Sequence, residues 1–132
     1  MRVHPVGVRS AGDLKAAFPE IVRQSPDALY VAAAHFLNAQ YRRVMDRVTK
    51  HHLPTLFRRR QDIEAGGLMS YGTNYREMYR TGAGYLDRIF KGAKPDDLPI
   101  QQFELVINLK TAKALGLTIS PSFLGLADEV IE

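Results

Sequence analysis

Apolar residues fall along this chain in short groups whose spacing switches between helical and extended. Leu14, Ala17, Phe18 and Ile21 recur at i, i+3, i+4 and i+7, which lines up one face of a helix. Ser10 and Asp13, just ahead of that stripe, have the spacing of an amino-terminal capping pair. Pro19 interrupts the pattern. Lacking an N–H and clashing with the preceding turn, it predicts a kink or a restart. Tyr41, Val44, Met45 and Val48 form a second stripe, on a helix whose outer face carries Arg42, Arg43, Asp46, Arg47 and Lys50. The longest helix is predicted over residues 74–90, with Tyr75, Met78, Tyr79, Gly82, Tyr85, Leu86 and Ile89 on one side. Gly82 and Gly84 each cost such a helix about 1 kcal/mol relative to alanine. Close approach of another backbone would explain them.

Between the helices, residues 3–8, 28–33, 53–57, 68–71 and 103–109 read as strands. The run 28–33 is continuously apolar, the pattern of a strand buried on both faces of a parallel sheet. Phe103, Leu105, Ile107 and Leu109 alternate with Glu104, Val106 and Asn108, which predicts one wetter face. Residues 61–65 form a short helix closed by Gly66-Gly67, since glycine accepts the left-handed cap conformation. Gly72 closes the strand before it. Residues 91–99 are a turn-rich connector, and 110–115 a short helix stopped by Gly116. A last helix begins at Ser120-Pro121, with serine as cap and proline at the first position, and carries Leu124, Ala127 and Ile131. This alternation predicts an α/β fold in three layers, a mostly parallel sheet with flanking helices. Its core is expected around Leu29, Val31, Leu56 and Leu68, under the stripes led by Phe18 and Val44.

Composition changes that picture little. With 132 residues, 45% hydrophobic and 24% charged, the chain fits one domain and neither a disordered nor a membrane protein. No apolar run approaches the ~20 residues that span a bilayer. The absence of cysteine removes disulfides, thiolate nucleophiles and thiolate metal sites. The net charge of +4, from 18 basic against 14 acidic side chains, is interspersed rather than gathered into a stripe, so no nucleic-acid partner is expected. The one local run, Arg58-Arg59-Arg60, reads as a solvated turn. His51 and His52 diverge on a helix with no further ligand at a suitable spacing, so no metal site is expected.

No cofactor is expected either. Gly82-Ala83-Gly84 fails as a dinucleotide fingerprint, because Asp87 stands where the third glycine belongs and the motif lies inside a helix. There is no nucleophile turn of the Gly-x-Ser-x-Gly kind, and Asp96-Asp97 lie in a turn, where carboxylates serve the backbone. Nothing assembles nucleophile, base and orienting group. The expectation is a binding protein without catalytic residues, not an enzyme.

Two stretches go further. One is Glu64-Ala65-Gly66-Gly67-Leu68-Met69-Ser70-Tyr71-Gly72-Thr73-Asn74, followed by Lys91-Gly92-Ala93-Lys94-Pro95-Asp96-Asp97-Leu98-Pro99. The other is Phe103-Glu104-Leu105-Val106-Ile107-Asn108-Leu109-Lys110-Thr111-Ala112-Lys113-Ala114-Leu115-Gly116, closing on Ala127-Asp128-Glu129-Val130-Ile131. In this order they resemble the carboxy-terminal half of the ABC-transporter substrate-binding family that includes tryptophan- and other aromatic-amino-acid-binding members. The resemblance implies one lobe of a type I periplasmic binding protein. Such proteins have two α/β lobes around a cleft, are exported, often as lipoproteins, and hand a small-molecule solute to ABC permease subunits. Members are more than twice this length. Residues 1–72 are then expected to supply most of the second lobe, and residues 73–132 a carboxy-terminal arm that returns to the first. The chain is either a natural short product or a truncated reading of a longer gene. Its amino terminus has no apolar signal core, so the family implies the periplasm while the chain as written would stay in the cytoplasm.

In open α/β sheets ligands bind beyond the carboxyl ends of the strands. That rule selects His35, then Phe57 and Arg58, then Tyr71, Gly72 and Asn74. Tyr71 suits stacking on a ring or bonding a carboxylate, Gly72 and the amides after it suit an anion at a helix start, and Arg58 suits a two-pronged pairing with a carboxylate. The plainer roles are Tyr71 and Phe57 in the core and Asn74 as a helix cap. The expected function is the solute-binding component of a bacterial ABC importer. The alternative is a truncated, oligomerising interaction protein that has lost solute binding. Either way a dimer is expected, because the faces of residues 74–90 and 103–109 need cover.

Overall fold

Ser10 and Asp13 cap each other, and the first helix starts there. In the computed structural model, which describes residues 2–32, 34–99 and 103–132, the Asp13 N–H donates to the Ser10 hydroxyl at 3.1 Å. The Asp13 carboxylate accepts from the Arg9 and Ser10 N–H groups at 2.9 and 3.0 Å. These bonds, the one from Arg9 foremost, hold the Asp13 carboxyl below its ordinary pKa. Helix α1 (Ala11–Arg23) buries Leu14, Ala17, Phe18 and Ile21, all four members of the stripe. Pro19 neither breaks nor restarts it. The carbonyl that Pro19 leaves unserved belongs to Lys15, an exposed residue that water can satisfy.

The remaining elements follow as β1 (Leu29–Tyr30), α2 (His35–Ala39), α3 (Tyr41–Lys50), β2 (Thr55–Phe57), α4 (Arg60–Glu64), β3 (Met69–Thr73), α5 (Tyr75–Phe90), β4 (Phe103–Asn108), α6 (Leu109–Ala114), α7 (Pro121–Leu124) and β5 (Glu129–Ile131). The five strands form one sheet in the order β1-β2-β3-β4-β5, flanked by helices. Pairing is parallel except between β3 and β4. The α/β class and the mostly parallel sheet are those that the strand and helix alternation predicts. Within this chain β4 pairs along the whole of β3, so the segment after Thr73 shares the sheet of the segment before it.

The core gathers the stripes of α1 and α3 with Leu53, Phe57, Ile63 and Val106. Half-buried Leu29 and Val31 pack against it, and Leu68 is buried. Leu56 is displaced from the expected core by its neighbours. Successive strand residues point to opposite faces, and Thr55 and Phe57 take the inner one.

Several expectations need correction. Residues 2–9 form no strand, because nothing pairs with them, and only Val8 of that run packs on the core. β1 is an edge strand of two residues with Tyr30 exposed, so it is not buried on both faces; Ala33 lies outside the described residues. Gly72 lies within β3 instead of ending it. Along β4 burial deepens from Phe103 to Asn108 instead of alternating. The cause is register: β5 flanks only Val106, Ile107 and Asn108, leaving the first half of β4 at the rim. The last helix stops at Leu124, and Ile131 belongs to β5. Asp128 makes that switch, since its carboxylate accepts from the Leu105 N–H at 2.7 Å while its own N–H donates to the Leu105 carbonyl at 2.9 Å.

Helix α5 stands apart. None of its sixteen residues is buried. Asn74 caps it, accepting from the Glu77 N–H at 3.1 Å, and donates to Glu104 at 2.8 Å. The Tyr85 hydroxyl donates to the Pro99 carbonyl at 2.6 Å. A side chain added at Gly82 or Gly84 would meet nothing within 4 Å among the described residues, so none of them supplies the close backbone expected there. No helix among the described residues is long and apolar enough to cross a membrane.

Candidate functional site

β1, β2 and β3 run parallel, so their carboxyl ends share one rim of the sheet. The chain leaves β2 through Arg58, whose guanidinium carbon lies 5.8 Å from the centre of the Phe103 ring. That is the range in which a cation is attracted to an aromatic face. Tyr71 meets the same ring edge-on, with centroids 5.5 Å apart and planes at 88°. The register explains the meeting. Thr73 is opposite Phe103 and Tyr71 opposite Leu105, which makes Tyr71 and Phe103 diagonal neighbours on one face. Both rings remain open to solvent, Tyr71 at 54% and Phe103 at 48%.

The three consecutive arginines are not a solvated turn, for each goes to a different partner. Arg59 grips the buried Asp62 through two bonds of 3.1 and 2.5 Å. This pairing with Asp62 is the main cause of the raised Arg59 pKa. Arg60 spans Glu64 and Glu129, which raises its pKa as well. Arg58 has no carboxylate within 4 Å among the described residues. Its half-exposed fork of donors is held by a ring and left open to an incoming anion.

Gly72 is required by its neighbour. An added β-carbon would lie 2.1 Å from the Arg58 carbonyl oxygen, so only glycine lets β3 lie this close to the chain leaving β2. Asn74 is a helix cap, and its amide also ties α5 to Glu104. Phe57 is a core residue, 2% exposed, that touches both a wider groove and the wall of a shallow cleft shared with Val31, Leu37, Tyr41, Arg58 and Arg59. That cleft admits no more than about one water. His35 begins α2 and is exposed, away from those cleft walls. The rim thus brings Arg58, Tyr71, Gly72 and Asn74 together, with Phe57 beneath and His35 to one side. The wider groove opens at the amino ends of β2 and β3, which is also the carboxyl end of the oppositely running β4 and β5, between Leu53, Leu68, Leu115 and Ile131.

Phe103 and Glu104 join the rim without having been singled out in the sequence. Glu104 lies opposite Gly72, and its Oε1 is buried with no hydrogen-bond partner among the described residues. No group of three or more His, Cys, Asp or Glu is placed to hold a metal among the described residues.

The fold defines a class, an α/β protein built on one mostly parallel sheet flanked by helices. The structure is similar to an ABC domain in complex with L-Trp from Streptococcus pneumonia, with a TM-score of 0.73 and 26% identity over 96% of this chain and 44% of that one. The chain belongs to the ABC transporter substrate binding protein family, whose pattern it matches over residues 1–131. A conserved domain protein from Vibrio cholerae O1 biovar El Tor has the same fold, with a TM-score of 0.69 and 23% identity over 90% of this chain and 41% of that one. So does a ligand-free, open substrate-binding protein with adhesive properties from Clostridium difficile, with a TM-score of 0.64 and 22% identity over 95% and 42%. The chain therefore spans less than half the length of the solved structures it matches. A search among curated proteins returns no match.

Proposed function

We propose that this chain is a solute-binding lobe of a bacterial ABC importer, acting outside the cytoplasm. It takes a small organic carboxylate, with amino acids the favoured class, and passes it to permease subunits without a chemical step. The observation that carries this reading is the Arg58 guanidinium, paired with no carboxylate among the described residues and lying over the exposed Phe103 ring, which Tyr71 meets edge-on. A guanidinium fork recognises a carboxylate by two parallel bonds, and the exposed Tyr71 ring offers a face to an apolar or aromatic side chain. The neighbour in complex with L-Trp supports the solute class. In a two-lobed protein this rim is one wall of the cleft. Within residues 73–132, α5 is the element we assign to the arm that meets the other lobe.

Thermal shifts against L-tryptophan, L-phenylalanine, L-tyrosine and benzoate test the reading, because a ligand that binds only the native state raises its stability. At least one is expected to stabilise the chain at millimolar concentration. Tyr71→Ala and Arg58→Lys should shrink that shift while leaving the ligand-free midpoint in place. No shift with any of the four rejects the reading.

A second reading is favoured by α5, where Tyr75, Tyr79, Leu86, Ile89 and Phe90 are all exposed. Apolar patches beyond a few hundred Å² are rare on soluble monomers. Pairing of two copies through this face would cover it, with or without retained solute binding. Light scattering decides, and a clean monomer mass at micromolar concentration removes this reading.

A further inference from the structure

We infer that Phe103 is a positioning residue of the solute rim, holding the Arg58 guanidinium in the plane in which it meets a solute carboxylate. The inference rests on the solute-binding reading above and adds to it a residue on a different strand, which touches the arginine rather than the solute's charge.

Three observations converge on it. Arg58 is the one arginine of its run whose orientation no carboxylate fixes among the described residues, since Asp62 holds Arg59 and Glu64 and Glu129 hold Arg60. A long side chain with no partner samples many rotamers, and ordering it on binding costs affinity. The contact that remains is the Phe103 ring at 5.8 Å. That ring is itself clamped edge-on by Tyr71 at 5.5 Å. Phe103 is also 48% exposed at the rim end of β4, outside the core cluster, so packing does not explain an aromatic there. A phenylalanine that contributes little to the core and lies against an unpaired guanidinium serves the guanidinium.

The test separates this role from the broader reading by using two ligands and a ligand-free probe. L-tryptophan and L-tryptophanamide differ only in the group that Arg58 receives. In the intact chain Phe103→Leu, which keeps an apolar side chain but removes the ring, should weaken L-tryptophan binding by about three- to tenfold, the scale of one partly desolvated cation–π contact. Binding of the amide should change far less. Phe103→Tyr should restore discrimination, and Phe103→Leu combined with Arg58→Lys should lose little more than Arg58→Lys alone. Without ligand, the Nε–H resonance of Arg58 should carry a ring-current shift from the Phe103 ring and lose it in Phe103→Leu. If L-tryptophan binds but Phe103→Leu weakens both ligands equally or neither, or leaves the Arg58 resonance in place, the positioning role is overturned and the solute reading stands. If L-tryptophan fails but L-phenylalanine, L-tyrosine or benzoate binds, that carboxylate and its amide take its place in the same test. If none of the four binds the parent chain, the solute reading falls and this inference with it.

Discussion

Helices α1 and α5 look alike in sequence and differ completely in the fold. Each carries an apolar stripe at helical spacing behind a capping side chain, Ser10 for one and Asn74 for the other. α1 buries all four residues of its stripe against α3 and the sheet, whereas α5 buries none of its sixteen. Periodicity states which face of a helix needs cover. It does not state whether the same chain supplies the cover. α1 finds its partners in α3 and the sheet of the same chain, and its stripe becomes core. α5 is tied down by the Asn74 amide on Glu104 of β4 and by the Tyr85 hydroxyl on Pro99 in the connector, and the rest of its apolar face is left for something else.

The sharpest way to break that contrast is to make equivalent truncations on both sides of it. Ile63→Ala, in the core beneath α1 and α3, should cost about 2–5 kcal/mol, because the site is fully enclosed and a cavity remains. Leu86→Ala on α5 should stay within about 0.5 kcal/mol, because its side chain is already 58% exposed. Urea denaturation of the two variants at low protein concentration measures both. A loss of more than about 2 kcal/mol for Leu86→Ala would mean that α5 is packed in solution, and the contrast between the helices would disappear.

Next in size is a test of the rim. Gly72→Ala forces a methyl group against the Arg58 carbonyl, 2.1 Å from where it would sit. Neither group is a flexible side chain, so β2 and β3 must part, at a cost of about 1–3 kcal/mol. Amide hydrogen exchange should then speed up in β3 near Tyr71 and stay slow in α1. Uniform loss of protection across the sheet would show that the rim and the core unfold as one unit, and that the rim is no more independent than α1.

How much of this was legible in the sequence follows from how local each interaction is. The stripes of α1 and α3, the Ser10–Asp13 cap and the glycine after α4 each depend on residues within a few positions of one another, and all could be read directly. The pairing of β3 with β4 joins residues about thirty positions apart, so neither Phe103 nor Glu104 could be seen to reach the rim. The arginine run misled for the same reason. Composition suggested a solvated turn, but one partner of Arg60, Glu129, lies 69 positions away. Ile131 was misplaced because its spacing from Leu124 and Ala127 fits a helix. The Asp128 bond to β4 that ends the helical path is a tertiary contact with no local signature. Of the candidate rim residues, Arg58, Tyr71, Gly72 and Asn74 were reachable because a topological rule selects strand ends before any contact is known. Phe57 followed from the same rule but points the other way, into the core.

The smallest expected effect discriminates most finely between a free and a covered α5. Gly82 and Gly84 lie inside a regular helix, where glycine is less favourable than alanine by about 1 kcal/mol for backbone reasons alone. A methyl group at either position would meet nothing within 4 Å, and neither residue has a positive φ that would strain an alanine. In a chain whose α5 is free, Gly84→Ala should therefore stabilise the fold slightly, by no more than about 1 kcal/mol, and raise the helical signal in circular dichroism. Glycines that thin a helix also let a neighbouring backbone approach, and an added methyl group would push such a neighbour away. If α5 packs against a second copy, Gly84→Ala should lower the thermal midpoint at high protein concentration and leave it unchanged or higher on dilution, because association stabilises by mass action. Melting curves of the parent and variant over a hundredfold range of concentration distinguish the two. A destabilisation that ignores concentration would fit neither, and would place the neighbour of α5 inside this chain.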